Sequence, residues 1–360
     1  MTGPRPDSPG TDPGPGHPPL TVVQVVRSDG FAGVERYICQ VSNVLAGRGH
    51  HVVVIGGDPV RMRSELAAGI DHTAADTVAG AARALAGRRR VDVVHAHMTA
   101  AETAAWLAHP LQRAPIVATR HFADDRGSSG PARLVARLVA RSITVDIAIS
   151  RFVADTVGGP TVLIPNGVPG RDQAALESPT VVMLQRLTEE KAPEVGIEAW
   201  ARSGLGDTGW RLVVAGRGDR RHDLVAAAGR LGVGGSVDFV GQVADTDGLL
   251  AAASVVLATA PREPFGLSVV EAMAHGVPVV AAAGGAHLET VADAGVLFPA
   301  GDATAAARAL VELASSRTRR LEVGAALRQR QQDLYSLEDH VSRLEEVYVR
   351  VRSGLPVPPA

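Results

Sequence analysis

Arg186 and Lys191 stand five residues apart in the run Gln185-Arg186-Leu187-Thr188-Glu189-Glu190-Lys191, between an apolar stretch and a helix opening near Pro193. Two cations straddling a strand-to-helix loop can clasp a diphosphate from two sides. The plain alternative is a solvated loop whose charge is balanced by Glu189 and Glu190. A second charged segment reads Glu263-Pro264-Phe265-Gly266-Leu267-Ser268-Val269-Val270-Glu271. Pro264 and Gly266 forbid a helix continuous through Glu263, so that carboxylate belongs to a loop. A helix beginning near Gly266 offers the N–H groups of Gly266, Leu267 and Ser268 to an anion and sets Glu271 one turn in, beside it. Two carboxylates flanking an anion are costly unless each finds hydroxyl donors. A nucleotide diphosphate-sugar carries such donors at both ends, a ribose diol and a hexose.

Other segments point less sharply. Ser28-Asp29-Gly30-Phe31-Ala32-Gly33 runs into a helix N-terminus, an arrangement that suits either a phosphate or a simple tight turn. It is not G-x-G-x-x-G, and no such match follows any strand candidate, which counts against a nicotinamide or flavin cofactor. His121 follows Val117-Ala118-Thr119-Arg120 and is expected to project toward ligand. Gly216, in Val214-Ala215-Gly216-Arg217-Gly218, fits the wall of a base or ribose pocket, and Gly284-Gly285 makes another close-approach turn. His95 and His97 share a strand face, but no third His or Cys lies at ligand spacing, so packing or hydrogen bonding is their expected role. Asp245-Thr246-Asp247 resembles a D-x-D metal motif, yet it opens a helix, where Asp is an ordinary N-cap. Neither a metal nor an organic cofactor is expected.

These residues need strands to end where they stand. From Leu20 onward, apolar runs at Leu20–Val26, His51–Ile55, Val91–His95, Ile116–Thr119, Val145–Ile149 and Thr161–Ile164 alternate with helical stretches. The helices are expected over Val34–Ala46, Val78–Arg88, Ala101–Ala108, Ala132–Arg141 and Phe152–Val157. Continuous apolar runs mark strands buried on both faces, and strand–helix alternation marks a parallel sheet. The pattern restarts with strands at Val181–Leu184, Leu212–Ala215, Val237–Val240, Val255–Ala258, Val277–Ala281 and Val296–Phe298. The expected organisation is a disordered tail over 1–19, one α/β domain over 20–168, a linker over 169–179, a second α/β domain over 180–335 and a last helix over 336–352. The two similar domains are expected to leave a cleft between them, with ligands beyond the strands' carboxyl ends. Phe122–Pro131 is a plausible flexible wall of the acceptor pocket.

Composition narrows the partners. A formal net charge of -2 gives no basic field for nucleic acid or an anionic membrane. One cysteine, Cys39, rules out a disulfide framework and fits a reducing, cytoplasmic setting. No apolar run approaches the ~20 residues of a spanning helix. Of the 36 Lys plus Arg residues only Lys191 is Lys, leaving 35 Arg. The bland reading of the excess of Arg is a codon bias; on that reading the one position that kept Lys is where the two cations are expected to differ chemically.

Glu263 and Glu271, within EPFGLSVVEAMAHGVPVVA, resemble the E-x7-E signature of the family 4 retaining glycosyltransferases. AGVERYICQVSNVLAGRGHHVVV, VDVVHAHMTAA, IVATRHF, ISRFVAD, VLIPNGV, LVVAGRG and VDFVGQV agree in order, so the resemblance covers roughly Leu20 to Leu310. It implies the GT-B fold, two Rossmann-like doubly wound parallel-sheet domains facing across a cleft with the C-terminal helix over 336–352 crossing back to the first domain, and metal-independent transfer from a nucleotide diphosphate-sugar. It also implies that Arg186 and Lys191 hold the diphosphate, Glu271 the ribose hydroxyls and Glu263 the hydroxyls of the transferred sugar. Backbone groups of Phe265, Gly266 and Leu267 would meet sugar and phosphate, His121 the sugar's far hydroxyls, and Gly33 the phosphate. Where many members carry paired glycines this chain has Ala32-Gly33, so close approach is assured at Gly33 alone. UDP- or GDP-sugars are the expected donors, and membrane contact is expected only for a lipid-linked acceptor. A sugar-nucleotide epimerase or isomerase and a non-catalytic binding protein are the alternatives on the same fold.

Overall fold

The computed structural model describes residues 18–123, 130–157 and 159–358, with the backbone alone over 130–133. Most of the expected tail and most of the expected flexible wall at Phe122–Pro131 lie outside the described residues. The Val- and Ile-rich runs become two parallel sheets. The first holds β1 (Thr21–Val26), β2 (His51–Ile55), β3 (Asp71–Thr73), β4 (Val93–His97), β5 (Ile116–Arg120), β6 (Ile143–Ala148) and β7 (Val162–Leu163), in the order β3-β2-β1-β4-β5-β6-β7. Val22 pairs with Val52 on one side and with Val93 on the other. Its helices are α1 (Gly33–Gly47), α2 (Pro59–Glu65), α3 (Val78–Ala86), α4 (Met98–Gln112), α5 (Gly130–Ser142) and α6 (Arg151–Val157).

The second sheet holds β8 (Thr180–Leu184), β9 (Arg211–Ala215), β10 (Val237–Gly241), β11 (Val255–Ala258), β12 (Val279–Ala283) and β13 (Val296–Pro299), in the order β10-β9-β8-β11-β12-β13. Val181 joins Leu212 of β9 and Val255 of β11. Around it run α7 (Pro193–Ser203), α8 (Arg221–Arg230), α9 (Thr246–Ala251), α10 (Leu267–Ala274), α11 (His287–Thr290), α12 (Ala303–Ser315) and α13 (Arg317–Leu334), and α14 (Leu337–Arg352) follows, its Tyr348 bonded to Gln24 and His95 of the first sheet. Side chains of β8, β11 and β12 such as Val181, Val255 and Val280 are wholly buried, as their unbroken apolar runs require. In each sheet the strand order reverses beside the first strand, at β1/β4 and at β8/β11. Ligands of open α/β sheets bind beyond the carboxyl ends at such reversals.

Two strands start and end later than the apolar runs imply. β4 extends to His97 and β12 to Ala283, both beginning two residues beyond their expected starts at Val91 and Val277. Buried histidines carry β4 on, because each finds a hydrogen-bond partner inside. The short β3, α2 and α11 were not anticipated. By packing, the chain forms two compact units: Met1–Val117 with Val139–Thr144 and Val347–Pro356, and Ala118–Leu138 with Val145–Glu346 and Val357–Ala360. Residues 169–179 have no regular structure but are pinned along the second unit. Ala174 N donates to the His275 carbonyl at 2.8 Å, and Arg320 Nη2 donates to the Leu176 carbonyl at 3.1 Å. Among the described residues no helix is long and apolar enough to cross a membrane.

Candidate active site

The second unit gathers the charged segments at the β8/β11 reversal. Immediately after β8, Gln185 Nε2 donates to Thr259 Oγ1 at 2.8 Å and to the Lys191 carbonyl at 3.1 Å. Thr259, just past β11, donates its hydroxyl to the same carbonyl at 2.8 Å. Two strand ends thereby hold the backbone of Lys191. Lys191 closes a 3-10 turn over Glu189–Lys191, and the next residue, Ala192, has φ 45° and ψ 49°. A left-handed alanine directly before a proline is costly, so the hydrogen bonds behind it must over-determine this turn.

The Lys191 side chain points to the E-x7-E segment: Nζ lies 2.6 Å from Glu263 Oε2, with the two side chains only 12% and 15% exposed. Arg186 goes elsewhere. Its Nη2 meets Glu190 Oε1 at 2.5 Å, both groups half exposed, and its guanidinium lies 5.9 Å from the centre of the Phe122 ring. Each cation is therefore engaged by its own carboxylate, and the solvated, self-balanced loop describes Arg186 but not Lys191. The exposed pair contributes little to stability; the enclosed one is held more firmly.

Glycines fix the loop that carries Glu263. Ala286 N donates to the Glu263 carbonyl at 2.8 Å. A Cβ on Gly285, whose φ is +55°, would fall 2.5 Å from both Glu263 N and O. The Pro264 carbonyl accepts from Ser150 Oγ at 2.7 Å, and Phe265 is buried with its ring edge-on to Tyr335. Gly266, φ +87°, caps α10, so Leu267 and Ser268 open the helix where no intrahelical carbonyl reaches their N–H groups. Glu271 follows one turn in, partly exposed, as the spacing required. Gly216 has a packing reason of its own: a Cβ there would lie 1.9 Å from the Gln185 carbonyl oxygen, so glycine lets the end of β9 close on the cation-bearing loop.

His287, opening α11, is buried beside this pair. Its Nδ1 lies 3.1 Å from the Ala282 carbonyl, while its Nε2 is enclosed without a hydrogen-bond partner. Burial lowers its pKa; Glu263 opposes that shift and Lys191 adds to it. His121 directly follows β5. It is 7% exposed, and burial, with His340 adding, pushes its pKa down to about 3. Gly33 is exposed at the first position of α1, in the other compact unit.

The remaining expectations concern residues outside this cluster. His95 Nδ1 lies 2.6 Å from Tyr348 Oη and His97 Nε2 2.7 Å from Gln24 Oε1, the hydrogen-bonded role foreseen for them. Asp245 N-caps α9, accepting from Gly248 N at 2.8 Å, as its position implied. Asp247 meets His275 Nε2 at 3.0 Å and Arg171 Nε at 2.7 Å.

Residues 31–169 match the family described as Glycosyltransferase Family 4, and residues 171–330 that described as Glycosyl transferases group 1. A phosphatidyl-myo-inositol mannosyltransferase of Mycolicibacterium smegmatis is 30% identical over 312 residues, covering 78% of this chain and 80% of that protein. The chain belongs to the family 4 glycosyltransferases. A GDP-mannose-dependent phosphatidylinositol dimannoside mannosyltransferase of Mycobacterium tuberculosis is 34% identical over 202 residues, 51% of this chain and 50% of that one. A crystal structure of Anabaena HepE in complex with UDP and glucose shares the fold at TM-score 0.78 and 20% identity, covering 92% of this chain and 99% of that chain. The fold of this glycosyltransferase is thus GT-B. Sequence reading of the glycosyltransferase missed Gln185, Thr259 and His287. The first two lie just beyond buried strand runs and the third just beyond the Gly284-Gly285 turn, which is the signal that was available.

Proposed function

We propose that this glycosyltransferase moves a hexose-type sugar from a nucleotide diphosphate-sugar to an acceptor hydroxyl, with retention of configuration and without a metal or organic cofactor. The observation that carries the reading is the Lys191–Glu263 pair at the start of α10, a cation suited to diphosphate and a carboxylate suited to sugar hydroxyls 2.6 Å apart. Lys191 and Arg186 meet the charge that grows on the leaving diphosphate, where fixed charges lower the barrier most. The N–H groups of Gly266, Leu267 and Ser268 and the backbone of Phe265 assist at sugar and phosphate. Glu271 takes the ribose diol, Gly216 borders the nucleoside, and Glu263 takes hydroxyls of the sugar. His121, neutral at physiological pH, can donate to or accept from a sugar hydroxyl. The departing diphosphate receives the acceptor's proton. The enzyme acts in the cytoplasm and touches a membrane only through a lipid-linked acceptor.

GDP-mannose is the first donor to try, because a similar protein is described as GDP-mannose-dependent, and UDP-sugars follow. Thermal-shift measurements with GDP-, UDP- and ADP-sugars select the donor; mass spectrometry with phosphatidylinositol, glycan and lysate acceptors then reads transfer. NMR of the product's anomeric centre tests retention, and EDTA tests metal independence. A rearranged sugar nucleotide formed without acceptor makes the protein an epimerase or isomerase instead, and donor binding without turnover makes it a binding protein.

A further inference from the structure

Lys191 and Glu263 are each fixed at the backbone and free only at the side chain. Gln185 and Thr259 hold the Lys191 carbonyl, while Ala286 N and the close packing of Gly285 hold the Glu263 main chain. A shift of the whole loop is therefore the expensive way to part them, and side-chain rotation the cheap one. Beside them sits an acceptor with nothing to accept. The Ala282 carbonyl can only accept, so the proton of the neutral His287 ring is on Nδ1 and Nε2 presents a lone pair. A Cβ built on Gly266 would lie 3.4 Å from both His287 Nε2 and Glu263 Cγ, so these two groups flank the same point above the first turn of α10. Only a glycine leaves that point open.

We propose that the Lys191–Glu263 pair is exchanged when donor binds: Lys191 swings to the diphosphate, and Glu263 together with His287 Nε2 takes up hydroxyls of the sugar, so that the site favours an intact nucleotide-sugar over the bare nucleoside diphosphate. The inference rests on the donor class assigned above. A bare nucleoside diphosphate offers Lys191 a partner but strands Glu263, a carboxylate largely withdrawn from water, beside a second acceptor that also lacks a donor. Breaking an enclosed ion pair and leaving one member unmatched is strongly unfavourable. The sugar removes that penalty, since its hydroxyls donate to both. Loss of the sugar at turnover restores it, and re-forming the Lys191–Glu263 pair helps to expel the nucleotide product. His287 thereby becomes a residue that senses the presence of the transferred sugar.

Equilibrium binding of GDP, GDP-mannose, UDP and UDP-glucose to wild type and variants tests the exchange. In Glu263→Gln, Lys191 is released and no carboxylate is stranded, so the bare nucleotide binds about tenfold tighter while the sugar nucleotide binds more weakly. Glu263→Asp, whose carboxylate stops a methylene short of Lys191, gives the same direction should the glutamine variant fail to fold. In His287→Phe, the sugar nucleotide loses several-fold in affinity and the bare nucleotide stays within about twofold, a split that a general packing defect does not produce. Bare-nucleotide affinity that falls or stays constant in both Glu263 variants overturns the exchange. Wild-type protein that binds none of the four compounds overturns the donor assignment and the exchange together, whereas wild-type binding with an unmoved ratio in the variants overturns the exchange alone.

Discussion

The two sheets place polar residues at the same topological position and use them differently. At the β1/β4 reversal, hydrogen bonds join Gln24, His95, His97 and Tyr348 inside the core, with His95, His97 and Gln24 fully buried and the rings of Tyr37, His95, His97 and Tyr348 packed at 4.2–5.8 Å between centroids. At the β8/β11 reversal, Gln185 and Thr259 are equally well tied to the backbone, but the groups they support remain unfinished. Lys191 and Glu263 satisfy one another with some exposure left, while His287 Nε2 and Thr188 Oγ1 are enclosed without partners. A buried network whose groups find partners supports the fold, whereas an enclosed lone pair beside a partly exposed ion pair marks a candidate ligand site. The difference lies in satisfaction rather than in composition, since both contain glutamine and histidine.

Substitutions can break that contrast. Lys191→Arg is expected to have the largest effect: a planar fork does not fit where a compact ammonium meets Glu263, and kcat should fall about a hundredfold with the denaturation midpoint almost unmoved. Near-normal steady-state turnover in that variant would leave codon bias as the whole reason for the single lysine. Gln185→Leu removes the support behind Lys191 and should lower kcat about tenfold while costing about 1–2 kcal/mol in urea unfolding. Tyr348→Phe cuts the buried network of the first sheet instead, at a cost of about 1 kcal/mol and with kcat unchanged. If its turnover drops while stability holds, the first network is not merely structural. The gentlest probe is pH. His121 and His340 titrate near 3 and near 4 in the folded chain, well below the ordinary 6.5, because burial disfavours their charged forms. The unfolded chain therefore takes up protons first, and their contribution to stability is complete above pH 6.5 and is lost as pH falls from 6.5 toward about 4. Urea midpoints measured across that window should fall in wild type and fall less in His340→Gln.

Much of this was written in the sequence. β2 and β11 have the bounds their apolar runs gave, because Val52 to Ile55 and Val255 to Ala258 lie in the core without a break. β3 spells Asp-His-Thr on the outer edge of its sheet, where no apolar run is demanded. α2 carried its signals openly, an Asp58 cap and Pro59 at the first turn, but is too short for a helical period to show. Among candidate site residues, Glu263, Gly266 and Glu271 were placed by local stereochemistry alone, with Pro264 and Gly266 dictating where the helix could start. The Lys191–Glu263 pair was not readable: 72 residues separate its members, and only the folded sheet brings β8 beside β11. The burial of His121 was not readable for a related reason, since the element that lies close enough to perturb its titration, His340 of α14, comes far later in the chain.

The solitary lysine also makes the chain its own spectrometer. Reductive methylation with isotopically enriched formaldehyde would modify, besides the terminal amine, a single side chain in 360 residues. Its dimethylamino carbon resonance would report directly whether that nitrogen faces a carboxylate or a phosphate. Titration of the labelled protein with nucleotide would then follow one signal, without assignment of any other.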